Sequence, residues 1–278
     1  MLNASLKKIA AAGLLLLLAS ALPARERGDE HEAFDSHYTG DYLAFKKRIL
    51  EEFRRAGPGR FSEFSRRSRA EKGGDHKVLA FTFDACGGRN DGYDRKLIAY
   101  LRREQIPATL FVTGLWIDKN REAFAELAED PLFEIENHGL LHRLCSTEGR
   151  MKYGVRSTRG LGDVIDEMEL NARKIAGLTG RRPVFFRSAT AYTDDLSLKV
   201  AQRLGMEVVG YDVLSGDAAR SSAKKISRNI LGGARHGAVV IMHFNHPEWP
   251  VLQALERAVP ELRRRGFSFG KLEDFTVK

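Results

Sequence analysis

Leu132-Phe-Glu-Ile-Glu136 leads directly into Asn137-His-Gly-Leu-Leu-His142, a short apolar run followed by two histidines four residues apart. A spacing of four residues puts two side chains on one face of a helical turn, so both imidazoles could reach one metal ion. The end of a strand is also where α/β enzymes place the side chains that perform chemistry. Partly exposed histidines at the start of a surface helix would give the same spacing, so the rest of the chain has to decide between these interpretations.

From Lys77 onward, short apolar runs alternate with longer amphipathic ones, which is typical of strands alternating with helices. The predicted strands are Val78–Phe83, Ala108–Thr113, Leu132–Glu136, Pro183–Phe186, Glu207–Tyr211, Ala238–Met242 and a weak last one at Phe267–Phe269. The predicted helices are Tyr93–Gln105, Asp163–Leu178 and Leu252–Arg265. This order predicts an α/β fold in which helices cover a parallel sheet, either a barrel of fewer than eight strands or an open doubly wound sheet.

Polar residues suited to catalysis follow five of the predicted strands. They are Asp84, Asn137 with His138, Arg187, Asp212 with Asp217, and His243. Because the carboxyl ends of parallel strands emerge on one face, we expect these side chains to converge on one site. They include metal ligands, a carboxylate base, a cation that can orient it and a histidine acid, which together suit the hydrolysis of an amide.

Five motifs in a fixed order resemble those of the polysaccharide deacetylase family, the NodB homology domain of carbohydrate esterase family four. The motifs are Thr82-Phe-Asp84, His138-Gly-Leu-Leu-His142, Phe186-Arg187, Tyr211-Asp-Val-Leu-Ser-Gly-Asp217 and Ile241-Met-His243. The resemblance extends from about Lys77 to the C-terminus. It implies a distorted (β/α) barrel of about seven parallel strands and the metal-dependent removal of acetyl groups from N-acetylated sugars.

The resemblance also implies a role for each motif residue. His138 and His142 would hold a divalent metal ion, most often zinc in this family. Asp84 would act as the general base, and Arg187 would pair with it, lowering its pKa and fixing its orientation.

His243 would protonate the departing amine, with Asp212 or Asp217 as the partner that sets its charge. Three more residues are expected to line the substrate site: Thr190, through a backbone N–H that faces the oxyanion, Ile241, in the pocket for the acetyl methyl group, and Trp249, which either packs at the rim or lines a sugar cleft.

The sequence departs from the family at Ala85, where relatives have a second aspartate that serves as the third metal ligand. The metal could be held by two histidines with Asp84 or waters, or Cys86 could supply a thiolate, which suits zinc. Alternatively, the domain has lost catalysis and retains carbohydrate binding. We favour a working site with altered coordination, because the base, arginine and acid positions remain occupied. Ser188-Ala-Thr190 also replaces the family's proline–aromatic segment, so the wall that contacts the sugar should differ.

The chain of 278 residues contains two cysteines, Cys86 and Cys145. An even number of cysteines in an exported protein permits a disulfide, and two free thiols are the alternative. A thiolate of Cys86 on a metal would preclude the disulfide.

The N-terminal part of the chain is predicted to direct export. Residues 1–24 combine two lysines, an apolar run and small residues at Ala21 and Ala24, as in a cleaved signal peptide. Residues 25–76 are basic, with an amphipathic helical pattern from Asp41 to Arg69 interrupted at Gly57-Pro-Gly59 and a linker before Lys77. Their charge indicates either attraction to an anionic envelope polymer or an ordinary solvated helix surface.

The sequence therefore predicts a catalytic domain at residues 77–278 in a protein of the periplasm, the cell envelope or the exterior. Its expected partner is an N-acetylated envelope polysaccharide such as peptidoglycan. The net charge is +8. Nucleic acid is nevertheless not expected as a partner, because the chain is predicted to be exported and nucleic-acid binding fits poorly with export. A non-catalytic glycan-binding protein and an amidase for small molecules are the alternative functions.

Overall fold

The computed structural model describes residues 37–64 and 77–275. The predicted signal peptide, the residues that follow it up to 36 and the basic stretch 65–76 lie outside the described residues. Within the two described ranges, no helix has both the length and the apolar character that a membrane span requires.

The helices are α1 (Gly40–Glu52), α2 (Arg95–Arg103), α3 (Gly114–Lys119), α4 (Arg121–Glu129), α5 (Leu161–Thr179), α6 (Asp195–Arg203), α7 (Ala223–Gly233) and α8 (Val251–Arg264). The strands are β1 (Phe61–Glu63), β2 (Lys77–Ala85), β3 (Ala108–Val112), β4 (Phe133–Asn137), β5 (Phe185–Phe186), β6 (Tyr192–Asp194), β7 (Glu207–Val208), β8 (Val213–Leu214), β9 (Ala238–His243) and β10 (Phe267–Gly270). Short 3₁₀ turns occupy Ala189–Ala191 and Leu272–Asp274.

A parallel sheet in the order β7-β5-β4-β3-β2-β9-β8 forms the centre of the fold, and β10 pairs with the first half of β2. The sheet curls into a half-barrel. The predicted α/β architecture is thus confirmed, and each of the seven predicted strands has a counterpart. The two-residue strand β8 was not predicted, because a pair of apolar residues gives no periodic signal.

The alternation of side chains along β2 separates two apolar layers. Leu79, Phe81 and Phe83 lie in the main core beneath the helices, and Ala85 continues this series. The intervening side chains face the inside of the half-barrel, where Ala80 packs with residues of β3, β5 and β9. A strand covered on both faces explains why its sequence is an almost continuous apolar run.

The N-terminal segment packs against the half-barrel through α1. Tyr38, Tyr42 and Lys46 all direct their polar atoms to Asp166 of α5, and the Lys46 Nζ lies 2.6 Å from the Asp166 carboxylate. At least one of the basic residues in this segment therefore has a structural ion-pair partner.

The helical pattern predicted from Asp41 to Arg69 is wrong between the end of α1 and Phe64, where the described residues of this segment end. After Gly57-Pro-Gly59 the chain extends, and β1 pairs antiparallel with β6, with Phe61 opposite Asp194. Proline lacks the N–H that a helix interior needs, and Gly59 adopts a positive φ of 69°, so the helix cannot continue through this point.

Candidate active site

The carboxyl ends of four parallel strands bring the predicted catalytic side chains together. Asp84 at the end of β2 is the register partner of His243 at the end of β9. His138 follows β4, and Arg187 follows β5, the neighbouring strand. The convergence follows from the parallel topology, which places every strand end on the same face.

Arg187 holds Asp84 in a buried ion pair. Arg187 Nη1 donates to Asp84 Oδ1 at 2.6 Å and to Thr82 Oγ1 at 3.0 Å, and Nη2 donates to the Gly210 carbonyl oxygen at 2.9 Å. The guanidinium carbon of Arg187, Cζ, also lies 4.1 Å from the ring centroid of Phe111. Burial by itself would raise the pKa of Asp84, but Arg187 and the nearby His138 and His243 outweigh it and lower the pKa. Asp84 is therefore an oriented carboxylate.

The His138–His142 segment is a loop, so the predicted helical turn is wrong. Gly139 and His142 have positive φ angles of 91° and 56°, which turn the chain back on itself. The two imidazole rings still meet, with centroids 4.9 Å apart. The loop achieves the juxtaposition that was expected from helical spacing.

Glu167 of α5, which was not predicted from the sequence, shapes this loop. Its carboxylate accepts from the backbone N–H groups of Leu141, at 3.1 Å, and Arg143, at 2.8 Å. A Cβ on Gly139 would lie 2.2 Å from Glu167 Oε1, so the carboxylate needs a glycine there. Burial raises the pKa of Glu167 to about 7, although the Arg143 N–H and charge oppose the shift. The sequence offered one signal for this role of Glu167: it is a charged residue on the buried face of a predicted helix, with Asn171 one turn later.

Cys86 faces the two histidines. Its Sγ lies 4.0 Å from His138 Nε2, the same nitrogen that is 3.6 Å from Asp84 Oδ2. Cys86 therefore follows Asp84 on the site side of β2, and Ala85 between them is turned into the core. Both cysteines of the chain are free thiols, so the predicted alternative of a Cys86–Cys145 disulfide is wrong.

The histidines favour the thiolate form of Cys86. Burial opposes ionisation, but His142, together with hydrogen bonds to His138, His142 and His243, holds the pKa of Cys86 well below its usual value. The pKa of His142 is raised in return, because Cys86 outweighs the effect of burial on the imidazole. A low thiol pKa next to imidazoles is typical of reactive and metal-binding cysteines.

Cys86, His138 and His142 fit a zinc ion. One ligand atom from each lies within 4.8 Å of the others. Tetrahedral zinc with its usual bond lengths separates such atoms by about 3.5 Å, so small side-chain rotations would close the site. His138 Nδ1 donates to the Arg187 carbonyl oxygen at 2.8 Å, which leaves Nε2 free to bind metal. Asp84 does not belong to this three-residue group, although its Oδ2 is close to His138.

His243 is paired with Asp217. Asp217 Oδ2 lies 3.2 Å from His243 Nδ1 and accepts from the His243 backbone N–H at 2.7 Å. Burial alone would lower the pKa of His243, but the Asp217 carboxylate and Cys86 raise it well above its usual value. The expectation that Asp212 is an alternative partner is wrong, because Asp212 binds Arg235 at 2.5 Å and the Val239 N–H instead. The two aspartates lie at opposite ends of strand β9: Asp212 lies beside its start, and Asp217 lies beside its end, where His243 is.

The three predicted substrate-site residues lie around this centre. Ile241 shares a face of β9 with His243, and Trp249 contacts the His243 ring edge-to-face at 5.5 Å. The indole Nε1 of Trp249 is buried and finds no hydrogen-bond partner among the residues described. Thr190 lies in the turn after Arg187 at a φ of 61°, an uncommon conformation for a β-branched residue. Neither the oxyanion role of Thr190 nor the methyl-pocket role of Ile241 is tested by these positions.

Known proteins resemble this chain in sequence. A family model described as polysaccharide deacetylase matches residues 71–209, half of the chain. The peptidoglycan-N-acetylmuramic acid deacetylase PdaA of Bacillus subtilis is 23% identical over 202 residues, which cover 71% of each chain. The uncharacterised protein YlxY of the same organism is 22% identical over 202 residues, which are 72% of this chain and 57% of YlxY.

Solved structures share the fold. The structure of PdaA, a family 4 carbohydrate esterase, matches with a TM-score of 0.61 at 20% identity over 82% of this chain and 87% of that one. A family pseudoenzyme from Bacillus anthracis matches with a TM-score of 0.60 at 20% identity over 72% and 66% of the two chains. A mutant of that pseudoenzyme has restored enzymatic activity. The match of the family model, together with the ordered motifs at the strand ends, shows that this chain belongs to the polysaccharide deacetylase family.

Proposed function

We propose that this protein is an exported, metal-dependent hydrolase that removes acetyl groups from the N-acetylated sugars of an envelope polysaccharide such as peptidoglycan. One observation carries the proposal. Asp84 and His243 are register partners on neighbouring strands, so a carboxylate base and a histidine acid flank the Cys86–His138–His142 cluster. The supporting relatives are peptidoglycan deacetylases.

The residues divide the proton transfers of amide hydrolysis between them. Asp84, ionised and oriented by Arg187, accepts the proton of the attacking water. His243, kept protonated by Asp217, donates a proton to the departing amine. The first transfer forms the nucleophile, and the second makes the amine a leaving group.

The proposed cofactor is a zinc ion held by His138, His142 and Cys86. Bound there, zinc supplies a Lewis acid that polarises the acetyl carbonyl group and lowers the pKa of water to about 7. The sulfur ligand takes the place of the carboxylate missing at Ala85, which explains how the site tolerates alanine at that position. In this interpretation Asp84 acts as base rather than as metal ligand.

Ile241 and the backbone near Thr190 are proposed to contact the acetyl group, and Trp249 to contact the sugar. Residues 1–24 are proposed to direct export. The basic residues of 25–76 are proposed to hold the protein at an anionic envelope surface through charge.

A non-catalytic glycan-binding protein is the second candidate, and Ala85 is the observation that favours it. Relatives with the fold include a pseudoenzyme. In that case glycans would bind, but the replacement of the third ligand would leave the protein without activity.

The release of acetate tests the proposal directly. The purified protein is incubated with zinc or cobalt and with peptidoglycan or oligomers of N-acetylglucosamine, and free acetate is measured. We expect metal-dependent release that Asp84→Asn abolishes and that Asp212→Asn, a change outside the site, retains. Glycan binding without acetate release from any of these substrates would favour the binding protein instead.

A further inference from the structure

We propose that Phe61, Tyr153, Tyr192 and Tyr211 form an aromatic ledge that binds sugar units of the glycan chain beyond the unit being deacetylated. The proposal rests on the proposed function for the identity of its ligand, an extended N-acetylated glycan. It adds a binding site built partly from β1, which lies outside the 71–209 segment that matches the family model.

The ledge lies on the same face of the sheet as the candidate active site. Tyr153, Tyr192 and Tyr211 belong to the chain segments that follow β4, β5 and β7 respectively. These strands are neighbours in the sheet, and their carboxyl ends emerge beside Asp84 and His138. A glycan that crosses this face could therefore contact the ledge and the catalytic residues together.

Hydrogen bonds connect the ledge to the catalytic centre. Ser188, the residue after Arg187, donates through Oγ to the Tyr192 carbonyl oxygen at 2.7 Å. The same Oγ accepts from the Cys145 N–H at 2.9 Å, which ties in the segment that follows His142. Tyr192 is thus fixed relative to Arg187.

The N-terminal segment supplies the outer part of the ledge. In the β1–β6 pair, Glu63 lies opposite Tyr192, and the ring of Phe61 is 5.6 Å from that of Tyr192. The hydroxyl of Tyr211 donates to the Glu63 carboxylate. Strand β1 therefore joins Tyr192 of β6 and Tyr211 of the segment after β7 into one surface.

Lys152 orients two of the rings. Tyr153 and Tyr192 meet edge-to-face, with centroids 6.0 Å apart. The Lys152 Nζ lies 5.0 Å from each of the two centroids, within the range of a cation–π contact. The rings are therefore positioned before a ligand arrives, which reduces the entropy lost on binding.

The position of Tyr153 is costly for a residue with only a structural role. Tyr153 is 73% exposed, so burial of its side chain contributes little to the stability of the fold. It is the first of the two central residues of a tight turn in which the Val155 N–H donates to the Lys152 carbonyl oxygen. Tyr153 and Gly154 have φ angles of 53° and 73°, and such turns favour Asn-Gly. A strained residue that exposes an aromatic ring beside a candidate site indicates a binding role.

The chemistry of the ledge matches a sugar chain. A pyranose ring has apolar C–H faces and a rim of hydroxyl groups. Tyrosine rings offer an apolar surface with polar edges, and the Glu63 carboxylate can accept hydrogen bonds from hydroxyl groups. The ring of Tyr153 contacts Tyr192 and Lys152, neither of which is a catalytic residue, so a disaccharide bound at the catalytic residues should not need Tyr153, whereas a longer oligomer should.

Tyr153→Asn tests the ledge without straining the fold. Asparagine suits the turn, so the melting temperature should stay the same or rise. Calorimetric binding of N-acetylglucosamine oligomers to the full chain should show a loss of about tenfold in affinity for the hexamer and no change for the dimer. In the acetate assay with zinc, KM for the hexamer should rise while kcat is kept. Leu178→Asn is the matched control, because it removes another exposed apolar side chain at the C-terminal end of α5. It should change neither the affinity for the hexamer nor the KM for the hexamer.

The outcomes separate this proposal from the proposed function. Equal hexamer affinity in Tyr153→Asn and the unsubstituted protein would overturn the ledge, even if acetate is released. An unsubstituted protein that binds neither oligomer would overturn it as well. Tyr153-dependent binding of the hexamer in a protein that releases no acetate would support the ledge and refute the catalytic proposal.

Discussion

Arg187 and Asp84 form an ion pair from which water is excluded. Arg187 Nη1 lies 2.6 Å from Asp84 Oδ1, and the two side chains are 0% and 3% exposed. In this setting each charge depends on the other, since removing one leaves the second buried without compensation. The pair therefore contributes to stability and fixes the orientation of Asp84, the proposed base.

Arg187→Met is expected to lower the free energy of unfolding by about 3–5 kcal/mol, because it leaves the Asp84 carboxylate buried and unpaired. Urea denaturation measures the change. Arg203 provides the matched control, since its ion pair with Glu52 is nearly as short, at 2.7 Å, but both side chains are almost half exposed. Arg203→Met should cost about 1 kcal/mol or less. Similar losses in the two variants would contradict the structural role of the buried pair.

Cys86→Ala is expected to weaken zinc binding by about tenfold or more, because it removes one of the three proposed protein ligands. Zinc content after dialysis measures this effect. Cobalt offers a second measurement, since a cobalt–thiolate bond gives a charge-transfer absorption that the variant should lack. Cys145→Ala removes the other thiol, which is buried among Val164 and Met168, and should retain both the metal and the absorption. A cobalt spectrum without a sulfur band in the unsubstituted protein would refute the proposed ligand set.

The sequence was sufficient to predict where the site lies. Apolar runs long enough to show a period, such as those of β2 and β9, identify strands. The parallel connectivity then requires Asp84 and His243 to share a face, whatever the lengths of the intervening loops. The convergence of residues separated by more than a hundred positions thus follows from topology alone.

Local geometry could not be predicted in the same way. The spacing of His138 and His142 fits a helical turn, but Glu167, a distant residue, stabilises a loop instead. Whether Asp212 or Asp217 pairs with His243 depends on where each aspartate lies beside β9. The spacing of the residues in the sequence does not reveal this. The side on which Cys86 emerges depends on the strand continuing through Ala85. Each of these features is set by tertiary contacts.

Gly139→Ala is expected to destabilise the loop that carries the two histidines. A methyl group there would meet Glu167 Oε1 at 2.2 Å, and the φ of 91° is already unfavourable for alanine. Gly149→Ala is the matched control, because Gly149 also has a positive φ, 73°, but a Cβ added there would meet no atom within 4 Å. In the control, backbone strain should lower the free energy of unfolding by about 1–2 kcal/mol. Gly139→Ala should lower it by more and should also weaken zinc binding. Chemical denaturation and zinc titration measure the two effects, and equal losses would contradict the packing of Glu167 against this loop.

Asp217→Asn is expected to move the alkaline limit of activity to lower pH. Asp217 raises the pKa of His243 against the effect of burial, so the acid form persists above its usual range and is lost as the pH rises through that pKa. The variant loses the charge that causes this shift. A pH profile of acetate release measures the limit, and an unshifted limit would refute His243 as the acid.

The same pair has a stability signature in the metal-free protein. Because the folded pKa of His243 is raised, its contribution to stability is fully present below the unfolded pKa of about 6.5 and is lost as the pH rises through the folded pKa. Asp217→Asn should therefore lower the free energy of unfolding more at pH 6 than at strongly alkaline pH. Denaturation at both pH values measures the difference, and an equal loss at both would contradict the pairing.

Glu136→Gln is expected to reduce the loss of stability that accompanies rising pH. Burial, assisted by the charge of Glu134, raises the pKa of Glu136 to about 9, although the Phe185 N–H, which donates to its carboxylate at 2.7 Å, opposes the shift. Between the unfolded pKa near 4.5 and the folded pKa, the unfolded chain ionises while the folded chain stays protonated. Each pH unit in this window therefore costs the folded state up to about 1.4 kcal/mol.

Glutamine keeps an acceptor for the Phe185 N–H but cannot ionise, so the variant should gain stability over the unsubstituted protein as the pH rises from 5 to 9. Urea denaturation across this range measures the gain. Glu122→Gln, at an exposed position of α4, is the control and should leave the pH dependence unchanged. Parallel curves for Glu136→Gln and the unsubstituted protein would mean that Glu136 is already ionised in the folded state, with the cost of its burial offset by the hydrogen bond from Phe185.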